Sequence, residues 1–200
     1  TMRRIVDDLL DMAQLEVGNL SVSIERVDLQ FVFNDTSVVA REICRPGVSV
    51  VAIDPPTELR SAMADPDRVR QAVANLLSNA CKHTEHGWVR LEAVRGDALD
   101  TVRIVVSDTG SGVDADDVTR LFQPYERGAR DGASGVGLGL AIVKGTVEAM
   151  GGTVGGAPRD GGGSMFWIEL PVGTHVPHVP AAPTGAAATE FPLRVLVVDD

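Results

Sequence analysis

The 200-residue chain carries a formal net charge of −10, with a sequence pI of about 4.8 and 44% hydrophobic, 23% charged and 4% aromatic residues. This composition is typical of a globular protein with a buried core, and the length allows one sizeable domain plus smaller segments. The negative charge disfavours nucleic acid and anionic membranes, so we predict no nucleic-acid binding and no membrane contact for this chain.

Apolar periodicity and turn residues predict helices and strands along the first 171 residues. A wide apolar stripe over residues 1–19 indicates a helix that packs on other helices or, alternatively, docks on its own domain. Asp28 and Asp65-Pro66 are residue types that begin helices. The predicted helices cover about residues 1–19, 29–44, 66–83, 114–122 and 137–150, and the predicted strands cover residues 21–27, 48–53, 59–63, 88–94, 101–107, 153–155 and 164–170.

The chain changes character after Pro171. Pro, Ala, Gly and Thr dominate residues 173–192 and charge almost disappears, which predicts a linker with partial polyproline character. Residues 193–200 then read Leu-Arg-Val-Leu-Val-Val-Asp-Asp, a pattern typical of a buried parallel strand that ends in two acids.

The two cysteines, Cys44 and Cys81, supply neither a disulfide framework nor a four-cysteine metal site. Cys81 is therefore predicted to be a small apolar packing residue, and we expect a reducing, cytoplasmic location. No run of about 18 apolar residues predicts a membrane span. No secretory signal opens the chain, although a membrane segment upstream would remain compatible with it.

The helix predicted over residues 66–83 carries an apolar stripe and a polar flank. About 110° around the helix from this stripe lie Asn75, Asn79 and Lys82. Their two carboxamides and one ammonium can hold a hard cation and touch phosphate. The alternative is that both Asn side chains cap loops or face solvent. The residues of the apolar stripe are Val69, Val73, Leu76 and Ala80.

Two glycine-containing motifs follow this helix. Asp108 ends a predicted strand, where its carboxylate can accept a hydrogen bond from the amine of adenine, while Gly110 and Gly112 permit close backbone approach. The alternative is an ordinary Asp-Gly turn. Residues 135–140 read Gly-Val-Gly-Leu-Gly-Leu at the start of a helix, where backbone N–H groups can bind phosphate.

Residues 127–134 are predicted to form a lid, from which Arg127 and Arg130 reach the phosphates or, alternatively, face solvent. The glycine pattern at 135–140 is not a P-loop, because no Gly-Lys-Ser/Thr follows, and it is not a convincing dinucleotide fingerprint. Taken in this order, the three motifs predict a magnesium-bound ATP site built from a helix, a strand end and a glycine-rich lid.

In these residues the chain resembles the ATP-binding domain of sensor histidine kinases, within the superfamily that includes gyrase. Residues 67–82 resemble the N box, 108–112 the G1 box, 122–125 the F box and 135–140 the G2 box, and the resemblance covers about residues 22–171. It implies an α+β fold: a two-layer α/β sandwich of the Bergerat type, with helices on one face of a mixed sheet, preceded by part of a helical hairpin.

The resemblance also implies ATP and Mg²⁺ as cofactors. Asn79 would be the principal metal ligand with Asn75 in support, Asp108 would bind adenine, and Asn79, Lys82 and Arg127 would form the catalytic set. The implied nucleotide-binding residues are Asn75, Asn79, Lys82, His83, Asp108, Gly110, Gly112, Gly135, Val136, Gly137, Leu138, Gly139 and Leu140.

The chain departs from the family pattern at two of these positions. His83 stands where the family usually carries Phe or Tyr against the base, and an imidazole stacks with less area. Val136 stands where Thr or Ser is common, which removes a hydroxyl but leaves the backbone cradle.

The flanking segments resemble two further parts of a hybrid kinase. Residues 3–18 resemble the end of the dimerisation and histidine-phosphotransfer hairpin, and residues 193–200 resemble the first strand of a receiver domain. No histidine precedes His83, so the phosphoacceptor is not in this chain. The implied domains are residues 1–20 (hairpin end), 21–172 (catalytic domain), 173–192 (linker) and 193–200 (truncated receiver).

The function implied is transfer of the ATP γ-phosphoryl group to a histidine on the hairpin, for two-component signal transduction. The implied partners are a second copy of the chain through the hairpin, and a receiver in cis or a response regulator in trans. Two alternatives stay open: an ATPase that drives a conformational cycle, and a catalytically degenerate nucleotide-binding module.

Overall fold

The computed structural model describes residues 9–15, 17–18, 20–98, 100–126 and 137–172. Several sequence predictions fall wholly or partly outside these described residues: residues 1–8 of the N-terminal helix, the lid with Arg127 and Arg130, the first two residues of the 135–140 motif, the linker and the receiver-like strand.

Helices and strands alternate through most of the described chain. The helices are α1 (residues 9–15), α2 (Leu29–Ile43), α3 (Pro66–His83), α4 (Val118–Leu121) and α5 (Gly139–Ala149). The strands are β1 (Glu25–Asp28), β2 (Val48–Ala52), β3 (Ser61–Ala64), β4 (Gly87–Arg95), β5 (Thr101–Asp108), β6 (Thr153–Pro158) and β7 (Ser164–Pro171). Single turns of 3₁₀-helix cover Thr57–Leu59 and Ala115–Asp117.

A five-stranded mixed sheet forms one layer, in the order β2-β4-β5-β7-β6. The β2–β4 pair is parallel and the other neighbours are antiparallel, while β1 and β3 form a separate antiparallel pair. Side chains alternate between the faces of each strand, and one sheet face packs with α2, α3 and α5 in a single hydrophobic core. The predicted α+β sandwich with helices on one face of a mixed sheet is confirmed.

Local chemistry explains where α2 and α3 begin. The Asp28 carboxylate accepts from Gln30 N at 2.9 Å, and the Asp65 carboxylate accepts from Asp67 N and Arg68 N at 3.1 Å each. Pro66 occupies the first turn of α3, where its missing N–H is not needed. Both predicted helix starts are confirmed.

Several predicted strand boundaries are wrong because pairing with a distant strand sets them. The first strand begins at Glu25 instead of residue 21, where its register with β3 starts at Ala64. The strand predicted from residue 59 begins at Ser61, because residues 57–59 form a 3₁₀ turn. The strand β6 continues past residue 155 to Pro158, because Gly155 and Gly156 pair with β7.

Two helix predictions also change. The helix predicted over residues 114–122 divides into a 3₁₀ turn and α4, and α5 covers Gly139–Ala149 instead of residues 137–150. The described part of the N-terminal helix, α1, docks on the domain itself: Asp11 pairs with Arg68 of α3 at 3.0 Å. Met12 and Leu15 pack against the first turns of α5.

A disulfide joins Cys44 to Cys81, so the expectation of two cysteines without a bond is wrong. Cys81 is buried as predicted, at 2% exposed, but its sulfur is bonded. The packing of α2 on α3 brings together two cysteines that are 37 residues apart, to a Cα–Cα distance of 4.7 Å. A count of cysteines cannot reveal this proximity.

A buried ion pair links β5 and β7 at the end of the sheet distant from Asp108. Glu169, 6% exposed, accepts hydrogen bonds from Thr101 Oγ1 at 2.6 Å and from Arg103 Nη2 at 2.8 Å. Burial alone would raise the pKa of this carboxyl, but the hydrogen bonds from Thr101 and Arg103, together with those from the backbone of residues 97 and 98, outweigh burial and hold the pKa at about 2.

We predict that Glu169→Gln lowers the free energy of unfolding at pH 7 by about 2–3 kcal/mol. The folded state binds a proton at the Glu169 carboxylate far more weakly than the unfolded chain does, so folding favours the charged carboxylate that the variant lacks. The stabilisation is present above pH 4.5 and disappears as the pH falls towards about 2. Urea denaturation between pH 7 and pH 2.5 should therefore show a shallower pH dependence for the variant. Glu42→Gln, at an exposed position of α2, is the matched control. Equal stability and an equal pH slope in Glu169→Gln would contradict the assignment.

Candidate functional site

The helix α3 presents a polar flank beside its core stripe. Asn75, Asn79 and Lys82 are half-buried. The four residues of the predicted apolar stripe are all buried: Val69, Val73, Leu76 and Ala80. Because α3 packs against both α2 and α5, its polar flank lies at the edge of the core and not on an open surface.

Asp108 ends β5 as a buried carboxylate, 2% exposed. Its Oδ1 accepts hydrogen bonds from Gly110 N at 2.8 Å and Ser164 N at 3.2 Å, and neither bond uses Oδ2. Burial raises the pKa of the Asp108 carboxyl, although these two N–H groups and the charges of His83 and Arg159 oppose the shift. The structure thus holds an acceptor in a fixed and poorly solvated position.

The loop after Asp108 meets the last residue of α3. Ser111 N donates to His83 O at 3.3 Å. A Cβ at Gly110 would lie 2.2 Å from His83 O, so only glycine permits this approach. The end of α3 and the end of β5 are therefore joined through their backbones.

The turn between β6 and β7 closes over the other side of Asp108. Gly163 has a φ of +92°, and a Cβ there would lie 1.9 Å from Asp108 O. Arg159 Nε donates to the same carbonyl at 3.0 Å. Sequence reasoning missed Arg159, Gly163 and Ser164 as supports of Asp108, although the run of three glycines at 161–163 was a signal of a tight turn.

Residues on either side of the 127–136 segment are held close together. Tyr125 N donates to Gly137 O at 3.0 Å, and both residues have positive φ, +64° and +77°. Phe122 packs edge-on against Phe166 of β7, with ring centroids 6.0 Å apart. This fixes the Phe122–Tyr125 segment beside the start of α5, where Leu138 is buried and Gly139 begins the helix.

Two of the three predicted motifs lie wholly within the described residues and the third lies there in part. The helix α3 contacts both β5 and α5, and the carbonyl of its last residue, His83, accepts from Ser111 N in the loop that follows Asp108. Gly137, Leu138, Gly139 and Leu140 are described at that start. Three predicted site residues lie outside the described residues: Arg127, Gly135 and Val136.

The described residues contain no cluster of three or more His, Cys, Asp or Glu side chains that could hold a metal ion. None of the helices described is both long and apolar enough to cross a membrane.

Residues 64–174 match the family described as "Histidine kinase-, DNA gyrase B-, and HSP90-like ATPase". The chain belongs to this ATPase family. The matched segment includes α3, the end of β5 and the start of α5, which are the elements that build the candidate site.

The chain is also similar to curated sensor proteins. It is 36% identical over 196 residues to the sensory/regulatory protein RpfC of Xanthomonas campestris pv. campestris. The aligned region covers 91% of this chain and 27% of the relative. It is 33% identical over 214 residues to the virulence sensor protein BvgS of Bordetella bronchiseptica, covering all of this chain and 17% of the relative. The chain therefore spans about a quarter or less of these curated relatives.

Among solved structures, the chain is similar to full-length ShkA in complex with AMPPNP. The TM-score is 0.72 and the identity 34%, over 86% of this chain and 36% of that one.

We predict that Gly163→Ala lowers the free energy of unfolding by about 2–4 kcal/mol, because the new Cβ overlaps the Asp108 carbonyl in addition to the strain at positive φ. Gly162→Ala is the matched control, since Gly162 has a φ of +95° but nothing lies within 4 Å of the added Cβ. The control should lose only about 1 kcal/mol in urea denaturation. Equal losses in the two variants would show that the turn is not packed on Asp108.

Proposed function

We propose that this chain is the ATP-binding catalytic core of a hybrid sensor histidine kinase. In the full-length protein it would transfer the γ-phosphoryl group of Mg-ATP to a histidine on its dimerisation hairpin. The observation that carries the proposal is the fixed, buried carboxylate of Asp108, joined through the loop that follows it to the end of the helix that bears Asn75, Asn79 and Lys82.

The donor groups on α3 fit a magnesium-bound polyphosphate. Mg²⁺ takes oxygen ligands and keeps several waters, so the amide oxygens of Asn79 and Asn75 together with phosphate oxygens suffice. A chain with a net charge of −10 needs local positive charge to hold a triphosphate. Lys82 supplies one cation, and we assign Arg127 as a second. Bound Mg²⁺ would neutralise phosphate charge.

The neighbourhood of Asp108 fits an adenine. Oδ2 of Asp108 would accept from the exocyclic amine of the base, while Gly110 and Gly112 keep side chains out of its plane. The half-buried ring of His83 would stack on the base, with less area than a larger aromatic ring. Because guanine carries a carbonyl where adenine carries the amine, a fixed carboxylate disfavours guanine.

The start of α5 fits the phosphate chain. Backbone N–H groups at a helix N-terminus bind phosphate oxygens, and glycines remove the side chains that would obstruct them. We assign this role to the backbone of Gly135, Val136, Gly137, Leu138, Gly139 and Leu140.

The residues of this site would position the reactants and neutralise charge, which is the main protein contribution to phosphoryl transfer. Asn79, Lys82 and Arg127 would orient the γ-phosphoryl group for in-line attack by an imidazole nitrogen. The helix α3 contains no glutamate that could act as a general base towards water. This favours transfer to a histidine over hydrolysis.

We extend the proposal to the organisation of the whole protein. Residues 1–20 would end the hairpin that forms a homodimer, 21–172 would be the catalytic domain, 173–192 a linker and 193–200 the start of a receiver. Partners would be that receiver in cis or a response regulator in trans. The catalytic domain would work in the cytoplasm, where ATP is available, and the parent protein would be soluble or membrane-anchored.

We predict that Asn79→Ala weakens binding of a non-hydrolysable ATP analogue in the presence of Mg²⁺ by at least about tenfold, or 1.4 kcal/mol. The loss should be small without Mg²⁺, because the carboxamide acts through the metal. Isothermal titration calorimetry with and without Mg²⁺ measures both values.

Asn34→Ala is the matched control for Asn79→Ala, since Asn34 is exposed on α2. In the full-length parent protein, Asn79→Ala should also abolish the acid-labile phosphorylation expected of a phosphohistidine. Unchanged Mg²⁺-dependent affinity in the variant would remove Asn79 from the metal site.

We predict that Asp108→Asn keeps the fold but weakens adenine nucleotide binding by at least about tenfold. The amide oxygen can still accept from Gly110 N and Ser164 N, while Nδ2 replaces Oδ2 and places a donor against the adenine amine. Calorimetry gives the affinity, and urea denaturation checks that stability changes by less than about 1 kcal/mol. Asp116→Asn, at an exposed position of the 3₁₀ turn, is the control. Wild-type affinity in Asp108→Asn would contradict the assigned base contact.

A further inference from the structure

The disulfide lies directly beside the proposed nucleotide site. Cys44 ends α2, and Cys81 lies in the last turn of α3, between Asn79 and Lys82. The bond therefore fastens the part of α3 that carries the metal and phosphate ligands to a neighbouring helix of the core.

We propose that the Cys44–Cys81 pair is a reversible thiol–disulfide modification site that controls nucleotide affinity. The bonded state would hold the end of α3 in the binding geometry, and the dithiol state would loosen it. The effect on affinity rests on the function proposed above, while the modification itself does not.

The surroundings of the pair suit both redox states. Cys44 is half-buried at a helix end and Cys81 is 2% exposed, so Cys44 is the more accessible of the two cysteines to an external thiolate. Ala40 O lies 3.6 Å from Cys81 Sγ. The bonded sulfur has no proton to donate, but the reduced thiol can donate one to this carbonyl. The buried thiol thus has an acceptor when the bond opens.

The exchange balances with a dithiol as the reductant. One reagent thiolate attacks Cys44 Sγ, a mixed disulfide forms, and Cys81 leaves as a thiolate that takes up a proton. The second reagent thiol attacks the mixed disulfide, releasing Cys44 as a thiol and the reagent as its cyclic disulfide. Oxidation is the reverse, with a small-molecule disulfide as the oxidant that accepts the two electrons.

The bond can influence binding because it tethers the end of α3 covalently to α2. Thr84 Oγ1 donates to Ala80 O at 2.8 Å, and His83 O accepts from Ser111 N in the loop that follows Asp108. Cys81 lies between these two contacts along the chain, so opening the disulfide removes a covalent tether to α2 at that point. Nucleotide binding must then order the loosened helix, and the free energy of this ordering lowers the affinity.

The expected location of the domain supports a regulatory reading over a purely structural one. In a compartment that keeps thiols reduced, a disulfide is usually transient, and it is then catalytic or redox-sensing. An ATP-binding domain of a sensor kinase works in such a compartment under the function proposed above.

The first measurement is a thiol count on the folded 200-residue chain. The chain has two cysteines, so a thiol reagent applied under denaturing conditions reads two per chain when the pair is reduced and none when it is bonded. We expect the native protein to move between these values in dithiothreitol and in oxidised glutathione. A pair that stays bonded in native protein with dithiothreitol, or that never forms the bond with oxidised glutathione, overturns the proposal.

The second measurement is calorimetry with Mg²⁺ and an ATP analogue on the oxidised and reduced protein. We expect reduction to weaken binding by at least about threefold, the scale of a modest loss of preorganisation. Cys44→Ser should bind like the reduced wild type and should not respond to dithiothreitol. Equal or tighter binding after reduction would contradict the proposal that the disulfide controls affinity. A change in the affinity of Cys44→Ser with dithiothreitol would also contradict it.

The two measurements separate this inference from the proposed function. If neither redox state binds the analogue, the nucleotide site itself is refuted, and with it the control of affinity. The thiol count still decides whether the pair is reversibly modified. Reduced wild-type protein carries no substitution, so a folding defect in Cys44→Ser cannot imitate the result.

Discussion

The architecture of the candidate site depends on the hydrogen bonds that the buried carboxylate of Asp108 accepts. A charge in a poorly solvated position is costly unless hydrogen bonds satisfy it, and here two backbone N–H groups from different parts of the chain do so. Gly110 N belongs to the loop that meets the end of α3, and Ser164 N belongs to the start of β7. Satisfying one side chain thus fixes the strand end, the helix end and the β6–β7 turn relative to each other.

The helix α3 transmits this constraint to the rest of the domain. Its apolar stripe enters the core, its polar flank carries the proposed metal and phosphate ligands, and its neighbours are α2, α5 and the sheet. A covalent bond to α2 and the ion pair between Arg68 and Asp11 of α1 hold opposite ends of the same helix. A change at either end therefore reaches Asn75, Asn79 and Lys82 through a single rigid element. Under the function proposed above, this arrangement would link the nucleotide site to both α1 and α2.

The sequence predicted best what depends on local chemistry. Asp28 and Asp65-Pro66 begin helices because the capping side chain and its N–H partners are adjacent in the chain, and periodicity placed the buried stripe of α3 correctly. The sequence predicted poorly the features that depend on contacts between residues far apart in the chain. The end of β6 is set by β7, and the support of Asp108 comes from Arg159 and Ser164, 51 and 56 residues away. The bond between Cys44 and Cys81 needs the packing of α2 on α3, which no local pattern records.

The most direct test of the proposed contact between Asp108 and adenine compares the affinity of the unmodified chain for ADP and GDP, each with Mg²⁺, by isothermal titration calorimetry. The two ligands carry the same phosphates and differ in the base, so the comparison isolates the contact assigned to Asp108. If Asp108 binds the adenine amine, ADP should bind at least about tenfold tighter than GDP, or 1.4 kcal/mol. Equal affinities, or a preference for GDP, would contradict the claim that this carboxylate organises an adenine nucleotide site.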